Sequence, residues 1–257
     1  MIPIKKLQLK EVSSTYYSGE ERLPVLDDVS LYVGDGEFVS VIGPSGSGKS
    51  TILKIAAGLL KPERGRVFIS NLDITGMPQL IGYMPQQDLL FPWKTLKQNA
   101  ALPLLAAKTN KHEAYARVEE MLPVFGLEGF ADYYPHQLSG GMRQRTALMR
   151  TMLIDSSLML LDEPLAALDA LTRENMQDWL LNIWERFKRS VLFVTHSIDE
   201  AIYLSDRIYV ISKRPGKNAL EQVIELPRPR NKGLMASKDF TTYKQLLISA
   251  LANKNRA

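Results

Sequence analysis

Cysteine is absent from the 257 residues. That excludes disulfides and thiolate metal sites and makes a reducing compartment the expected home. Long apolar runs are absent too. The longest, residues 100–107, contains Pro103 and falls far short of the roughly 20 residues that cross a bilayer. A membrane role therefore requires a separate membrane partner. The opening residues MIPIKKLQLK hold no apolar stretch of the kind a secretory leader needs, so none is expected. Charge of one sign is scarce: 32 basic and 28 acidic residues leave a net charge of +4, with the signs interleaved. Nucleic acid is therefore not expected as a partner. Apolar residues at 45% and charged residues at 23% are globular usage and exclude a disordered, collagen-like or mucin-like chain. The length exceeds the usual domain of about 100–200 residues, which points to one large domain or a core with an inserted subdomain.

Short apolar runs then set the architecture. Residues 5–12 and 25–33 read as strands on either side of a polar turn, SSTYYSGEERLP. Residues 37–42, EFVSVI, form a short strand that runs straight into GPSGSGKST, and residues 48–60 carry helical apolar spacing. RVFIS is another short strand, and residues 81–84 are a candidate strand ahead of the loop PQQD. Residues 95–107, 111–125 and 141–154 read as three helices, an inserted helical block. The alternation returns with SSLMLLD, a helix over 171–188, the strand SVLFVTH, a short helix over 198–204 and a strand over 207–211. Buried strands alternating with helices predict a mainly parallel sheet with helices on its faces. Residues 213–233 are rich in Lys, Arg and Pro, and residues 238–252 can form a last amphipathic helix. The expectation is one α/β domain with a core of residues 1–86 and 156–226, a helical subdomain at 87–155 and an extension at 227–257.

The segment Gly43, Pro44, Ser45, Gly46, Ser47, Gly48, Lys49, Ser50 fits G-x-x-x-x-G-K-[ST]. Glycines let the backbone curl so that successive N–H groups face phosphate oxygens. A helix starting near Gly48 adds its positive end. Lys49 supplies a charge for the β- and γ-phosphates, and Ser50 a hydroxyl for Mg²⁺. The bland alternative is a Gly/Ser-rich turn, but the preceding strand and following helix weigh against it. Residues 157–163, SLMLLDE, end an apolar strand in two acids. They are either a core strand with a solvated end or the acids that phosphate-loop enzymes require. In the second case Asp162 holds the Mg²⁺ shell and Glu163 polarises an attacking water.

A third motif, LSGGMRQR at residues 138–145, precedes a helix, with Ser139 placed to cap it. With these three motifs in this order, the chain resembles the ATP-binding subunits of ABC transporters. The resemblance implies a phosphate-loop NTPase core with a mainly parallel sheet, an N-terminal antiparallel β subdomain and an inserted α-helical subdomain. It implies ATP and Mg²⁺ as cofactors. Residues 43–51, including Thr51, would hold the phosphates, and Ser139, Gly140 and Gly141 would bind the ATP carried by an opposite subunit. Gln86 falls where the family has the glutamine that joins the metal and γ-phosphate to the membrane partner; Gln87 is the alternative if the register is off by one. Ser50, Gln86 and Asp162 are thus the implied metal residues. Residues 166–169 resemble the loop that crosses the dimer, with Ala166 where a serine is common. His196 resembles the histidine that contacts the γ-phosphate. Tyr16 resembles the aromatic that stacks on adenine, with Tyr17 the alternative.

One cassette, no long coiled coil and no fused membrane span resemble the separate motor subunit of a bacterial importer. LLFPWKTLKQNAALPL, residues 176–210 and the pair ISKRPGK and LPRPR resemble the nitrate/sulfonate/taurine group, which also includes importers of a thiamine precursor. The implied partners are integral membrane permease subunits, a second copy of this chain and, indirectly, an extracytoplasmic solute-binding protein. The implied place is the cytoplasmic face of the cell membrane. A soluble ABC ATPase acting on nucleic acid or protein is the rival reading.

Overall fold

The computed structural model describes residues 5–19 and 21–253. The first four residues of the expected core and the last four of the extension lie outside them. Along the chain run β1 (Lys5–Ser18), β2 (Glu21–Gly34), β3 (Phe38–Ile42), α1 (Lys49–Ala56), β4 (Arg64–Ile69), β5 (Leu72–Asp73) and β6 (Gly82–Met84). Next come α2 (Leu96–Ala100), α3 (Leu102–Ala106), α4 (Lys111–Phe125), α5 (Gly140–Met152), β7 (Leu158–Asp162) and α6 (Ala170–Phe187). The chain finishes with β8 (Ser190–Val194), α7 (Ile198–Leu204), β9 (Arg207–Ile211), β10 (Asn218–Val223) and α8 (Lys238–Asn253). These elements form two compact units, one of residues up to 79 with those from 188, the other of residues 80–187.

The first unit holds an antiparallel sheet in the order β2-β1-β4-β5. It also holds β3 between β8 and β9, parallel to both, with β10 antiparallel on the outside of β9. All five residues of β3 and of β8 are buried, as expected of mostly apolar parallel strands covered on both faces; buried Ser40 of β3 pairs its hydroxyl with that of Ser205. Phe38 meets Phe193 across this pair with ring centroids 5.6 Å apart. Burying a side chain of that kind contributes about 1.5–3 kcal/mol. On α1, Ile52, Leu53, Ile55 and Ala56 are buried at the spacing of one helical face.

In the second unit β6 lies parallel to a fully buried β7. Around them α5 buries Ala147, Leu148, Met149 and Met152, and α4 buries Val118, Leu122 and Phe125. Phe125 packs edge-on against Trp179 of α6 at 5.4 Å.

Three local expectations differ from the structure. The polar stretch after residue 12 is itself a hairpin, because Thr15, Tyr16 and Tyr17 pair with Pro24, Leu23 and Arg22. The helix expected over 95–107 is two short helices meeting at Ala101, with a proline at the start of the second. Proline lacks the N–H that a continuous helix needs there. Strand β10 emerges from the segment read only as basic and Pro-rich.

The same segment ends in a clamp. Arg230 is buried, and its Nη1 donates to the carbonyls of Ile202, Tyr203 and Ser205 at 3.0, 3.1 and 2.7 Å. Arg228 donates to the carbonyl of Leu204 at 2.8 Å and pairs with Asp206. The carbonyls that end a helix have no partner within it; here LPRPR supplies one. Lys244 of α8 adds an ion pair to Asp199 of α7 at 2.8 Å.

Candidate functional site

In the first unit, β3 delivers the chain into residues 43–48, and α1 begins at Lys49. Gly48 caps that helix with φ of 94° and no side-chain hydrogen bond. The loop therefore leads directly into the N-terminal end of α1, the end of a helix that favours negative charge. Lys49 is buried and folds back over the loop, its Nζ donating to the carbonyls of Gly43 and Pro44 at 2.9 Å each. Tyr16, half-exposed on β1, reaches α1: its hydroxyl lies 3.2 Å from Thr51 Oγ1. Tyr17 turns away, toward Arg22 and Glu63. Of the two tyrosines, Tyr16 is the one beside the phosphate loop.

His196 follows β8 as Gly43 follows β3. Val41 pairs with Val194 in parallel register, and Thr195 N donates to the Val41 carbonyl at 3.3 Å. Both residues therefore leave the sheet at its C-terminal edge, where parallel sheets place ligand-binding loops. The backbone around His196 is pinned. Thr195 Oγ1 donates to Glu200 at 2.6 Å and accepts from Ser197 N at 3.0 Å, while Ser197 caps α7 through Glu200 N. His196 itself is exposed.

The second unit brings Gln86 and Glu163 together, Nε2 of the amide donating to the carboxylate at 3.3 Å. Asp162 is buried at the end of β7. Tyr83, on the paired strand, has its hydroxyl pushed up to about 12 by burial and by the negative charge of Asp162. Glu163 sits in the left-handed region at φ 46°, a conformation that costs a non-glycine residue about 1–3 kcal/mol and clusters at working sites. Ser139 caps α5, accepting from Met142 N at 3.2 Å, and Gly140 and Gly141 form the first turn. Asp169 caps α6, and hydrogen bonds from the side chain and backbone of Thr172 hold its carboxyl below the usual range.

Four residues that carry this arrangement escaped the sequence reading. Arg143 of α5 pairs with Asp88 at 3.2 Å, and Arg150 donates to the carbonyls of Asp88 and Leu89 at 2.6 and 2.8 Å. Together they tie α5 to the loop after Gln86. Arg173 of α6 donates to the carbonyls of Leu165, Ala166 and Leu168, holding the turn after Glu163. Asn99, fully buried, accepts from Phe91 N and donates to the carbonyls of Phe91, Lys94 and Thr95. It thereby fixes a loop on which Leu89, Phe91 and Trp93 stay exposed. In the sequence these were only charged or amide residues on helices.

The geometry is that of an ATP-binding cassette, and the comparisons agree. The sequence profile of the family described as ABC transporter matches residues 26–166. An uncharacterized ABC transporter ATP-binding protein of Methanocaldococcus jannaschii is 41% identical over 249 residues, covering 97% of this chain and 92% of that protein. The aliphatic sulfonates import ATP-binding protein of Bacillus anthracis is 44% identical over 240 residues, covering 92% of this chain and 93% of its own. A dimeric ATP-binding cassette in a post-hydrolysis state, bound to ADP and Pi, superposes with a TM-score of 0.74 at 36% identity, over 86% of this chain and 100% of that one. A dimeric structure of a bacterial ABC transporter cassette gives 0.75 with the same identity and coverage. The chain belongs to the ABC transporter family. It is an ATP-binding subunit of that family and an ATPase.

Proposed function

We propose that the chain is the ATP-hydrolysing motor of an importer, acting as a head-to-tail pair on the cytoplasmic face of the membrane. What supports the importer reading is the exposed apolar loop of Leu89, Phe91 and Trp93, built immediately after Gln86 and tied to α5 by Arg150. Among the described residues no helix is long and apolar enough to cross a membrane, so that loop is offered to separate permease subunits. The relatives named for aliphatic sulfonate import make an organic sulfonate the first cargo to test. A solute-binding protein would select it outside the membrane. The core of residues 1–86 and 156–226, the helical part at 87–155 and the extension from 227 are the moving parts of this proposal.

Each residue has one role. Tyr16 stacks on the base. The amides of residues 43–51 and the Lys49 ammonium hold the phosphates. Ser139, Gly140 and Gly141 clamp the ATP of the facing copy. Ser50, Asp162 and Gln86 offer hard oxygen donors, and among the described residues no three His, Cys, Asp or Glu side chains cluster. That donor set suits Mg²⁺, which takes few protein ligands beside phosphate oxygens and water. When bound, Mg²⁺ neutralises charge on the phosphates. Glu163 accepts the proton of the attacking water, and its contact with Gln86 links that base to the loop facing the permease. His196 donates to the γ-phosphate. Because the γ-phosphate is the contact that favours the closed pair, its release reopens it.

Two experiments test this reading. Glu163→Gln should bind ATP, accumulate the closed pair and lose most turnover; normal turnover would remove Glu163 from the role of base. A detergent pull-down of the tagged chain from its native membranes should recover a polytopic membrane protein. A purely cytosolic partner set would instead favour a soluble ABC ATPase.

A further inference from the structure

The phosphate loop is held from behind by a part of the chain far away in sequence. Strand β9 and strand β10 are joined by residues 212–217, SKRPGK, and Gly216 at this tip is buried. It joins β2 by two backbone hydrogen bonds: Gly216 N donates to the Val25 carbonyl at 2.8 Å, and Asp27 N donates to the Gly216 carbonyl at 3.0 Å. Lys217 pairs with Asp27 at 2.7 Å on the outside of the same junction. The junction presses on the loop. A Cβ on Gly216 would lie 2.2 Å from the Ser47 carbonyl oxygen. At the other end of the loop, a Cβ on Gly43 would lie 2.6 Å from the carbonyl of Ile211, the last residue of β9. A Cβ on Gly48 would likewise lie 3.0 and 2.6 Å from the side chains of Val25 and Leu26 of β2. Ser47 is buried; its N–H donates to the Pro44 carbonyl within the loop at 3.2 Å, while its hydroxyl has no hydrogen-bond partner, so packing from the hairpin bears on the carbonyl side of its peptide.

We propose that the tip of the β9–β10 hairpin sets the shape of the phosphate loop, with Gly216 a positioning residue for nucleotide binding. The inference rests on the phosphate-loop reading of residues 43–51. The loop binds through the direction of its amides, and those amides lie between Gly43 and Ser50, where the hairpin bears on the chain. Close-packed contacts pass a shift of the tip directly to the loop. The basic Pro-Gly motif thereby acquires a purpose, because its glycine lets one backbone lie against another.

The test compares three full-length variants in steady-state ATPase assays and in thermal unfolding without nucleotide. Gly216→Ala forces a methyl toward the Ser47 carbonyl. The second variant replaces residues 213–216 with Asn-Gly, a two-residue turn that closes the hairpin without reaching the loop. It removes the prop without a clash and decides the matter if Gly216→Ala does not fold. Lys49→Ala tests the phosphate loop itself. The folded hairpin variant should raise KM for ATP by about tenfold to a hundredfold, the scale of a misplaced binding group. Its kcat at saturating ATP should stay within about twofold, the signature of binding lost equally from ground and transition states. A merely structural tip would lower the unfolding midpoint and leave KM unchanged. A native KM in the folded hairpin variant, with Lys49→Ala impaired, overturns this proposal alone. A native KM in Lys49→Ala overturns the phosphate-loop reading and this proposal with it.

Discussion

Glycine appears both in the loop before α1 and in the turn that opens α5, the two turns proposed to face nucleotide, yet the chain uses it in opposite ways. In the phosphate loop Gly48 needs a left-handed backbone, and a Cβ there would meet Leu26 at 2.6 Å. At the turn that opens α5, Gly140 needs no left-handed backbone, and its Cβ would rest 3.5 Å from Leu168, an ordinary contact. The first glycine is demanded by the protein's own packing. The second is not demanded by the chain's own packing, since a methyl there makes only an ordinary contact. Under the proposed function, its demand comes instead from the nucleotide of a facing copy.

Substitutions at the two glycines should separate these two uses. Gly48→Ala should abolish measurable ATP binding and also destabilise the chain, since left-handed backbone and a clash act together at about 1–3 kcal/mol. Calorimetry with and without ATP checks both halves; a native melting point would remove the fold's claim on that glycine. Gly140→Ala should leave folding intact or slightly improved, because alanine in a helix is favoured over glycine by up to about 1 kcal/mol. It should nonetheless lose ATP-driven pairing, seen by light scattering, and turnover with it. A fall in stability as large as that of Gly48→Ala would erase the distinction.

Ser139→Ala removes the cap of α5 and should cost about 1 kcal/mol, lowering the melting point by about 2–4 °C for a chain this long. The smallest effect is spectroscopic. Tyr83, held up to about 12 by burial and by Asp162, should keep its proton well above the ordinary tyrosine range near 10. Its folded value is raised, so its contribution to stability is complete below about pH 10 and disappears as pH rises toward 12. Alkaline difference spectra of Tyr83→Phe isolate this proton, and Asp162→Asn should lower its titration point.

Much of the candidate site was legible because its sequence patterns are local. The phosphate loop stands between an apolar strand and a helix, Asp162 ends a strand of buried residues, and Ser139 precedes a helix it caps. Each of these is a contiguous pattern with a physical reason for its order. Arg150, Arg173 and Arg230 were not legible, because their partners are backbone carbonyls elsewhere in the chain, and Arg143 because its carboxylate partner, Asp88, lies 55 residues away. A carbonyl is present at every residue, so no side-chain pattern marks the one that will be bound. Strand β10 was hidden for a related reason: it forms on the edge of β9, and its mixed, half-exposed residues carry little strand signal of their own.

The placement of β3 has a consequence for how the protein comes into being. Phe38 N donates to Asp206, 168 residues downstream, and the strands flanking β3 come from the last third of the chain. On a ribosome adding about 5–20 residues per second, the newly made phosphate loop waits roughly ten to thirty seconds for its neighbours. During that interval residues 80–187 emerge whole. Biosynthesis therefore completes the sheet around the loop only after residues 80–187 have been made, and a chain cut short before β9 carries the loop of residues 43–48 on a strand that lacks one of its two neighbours.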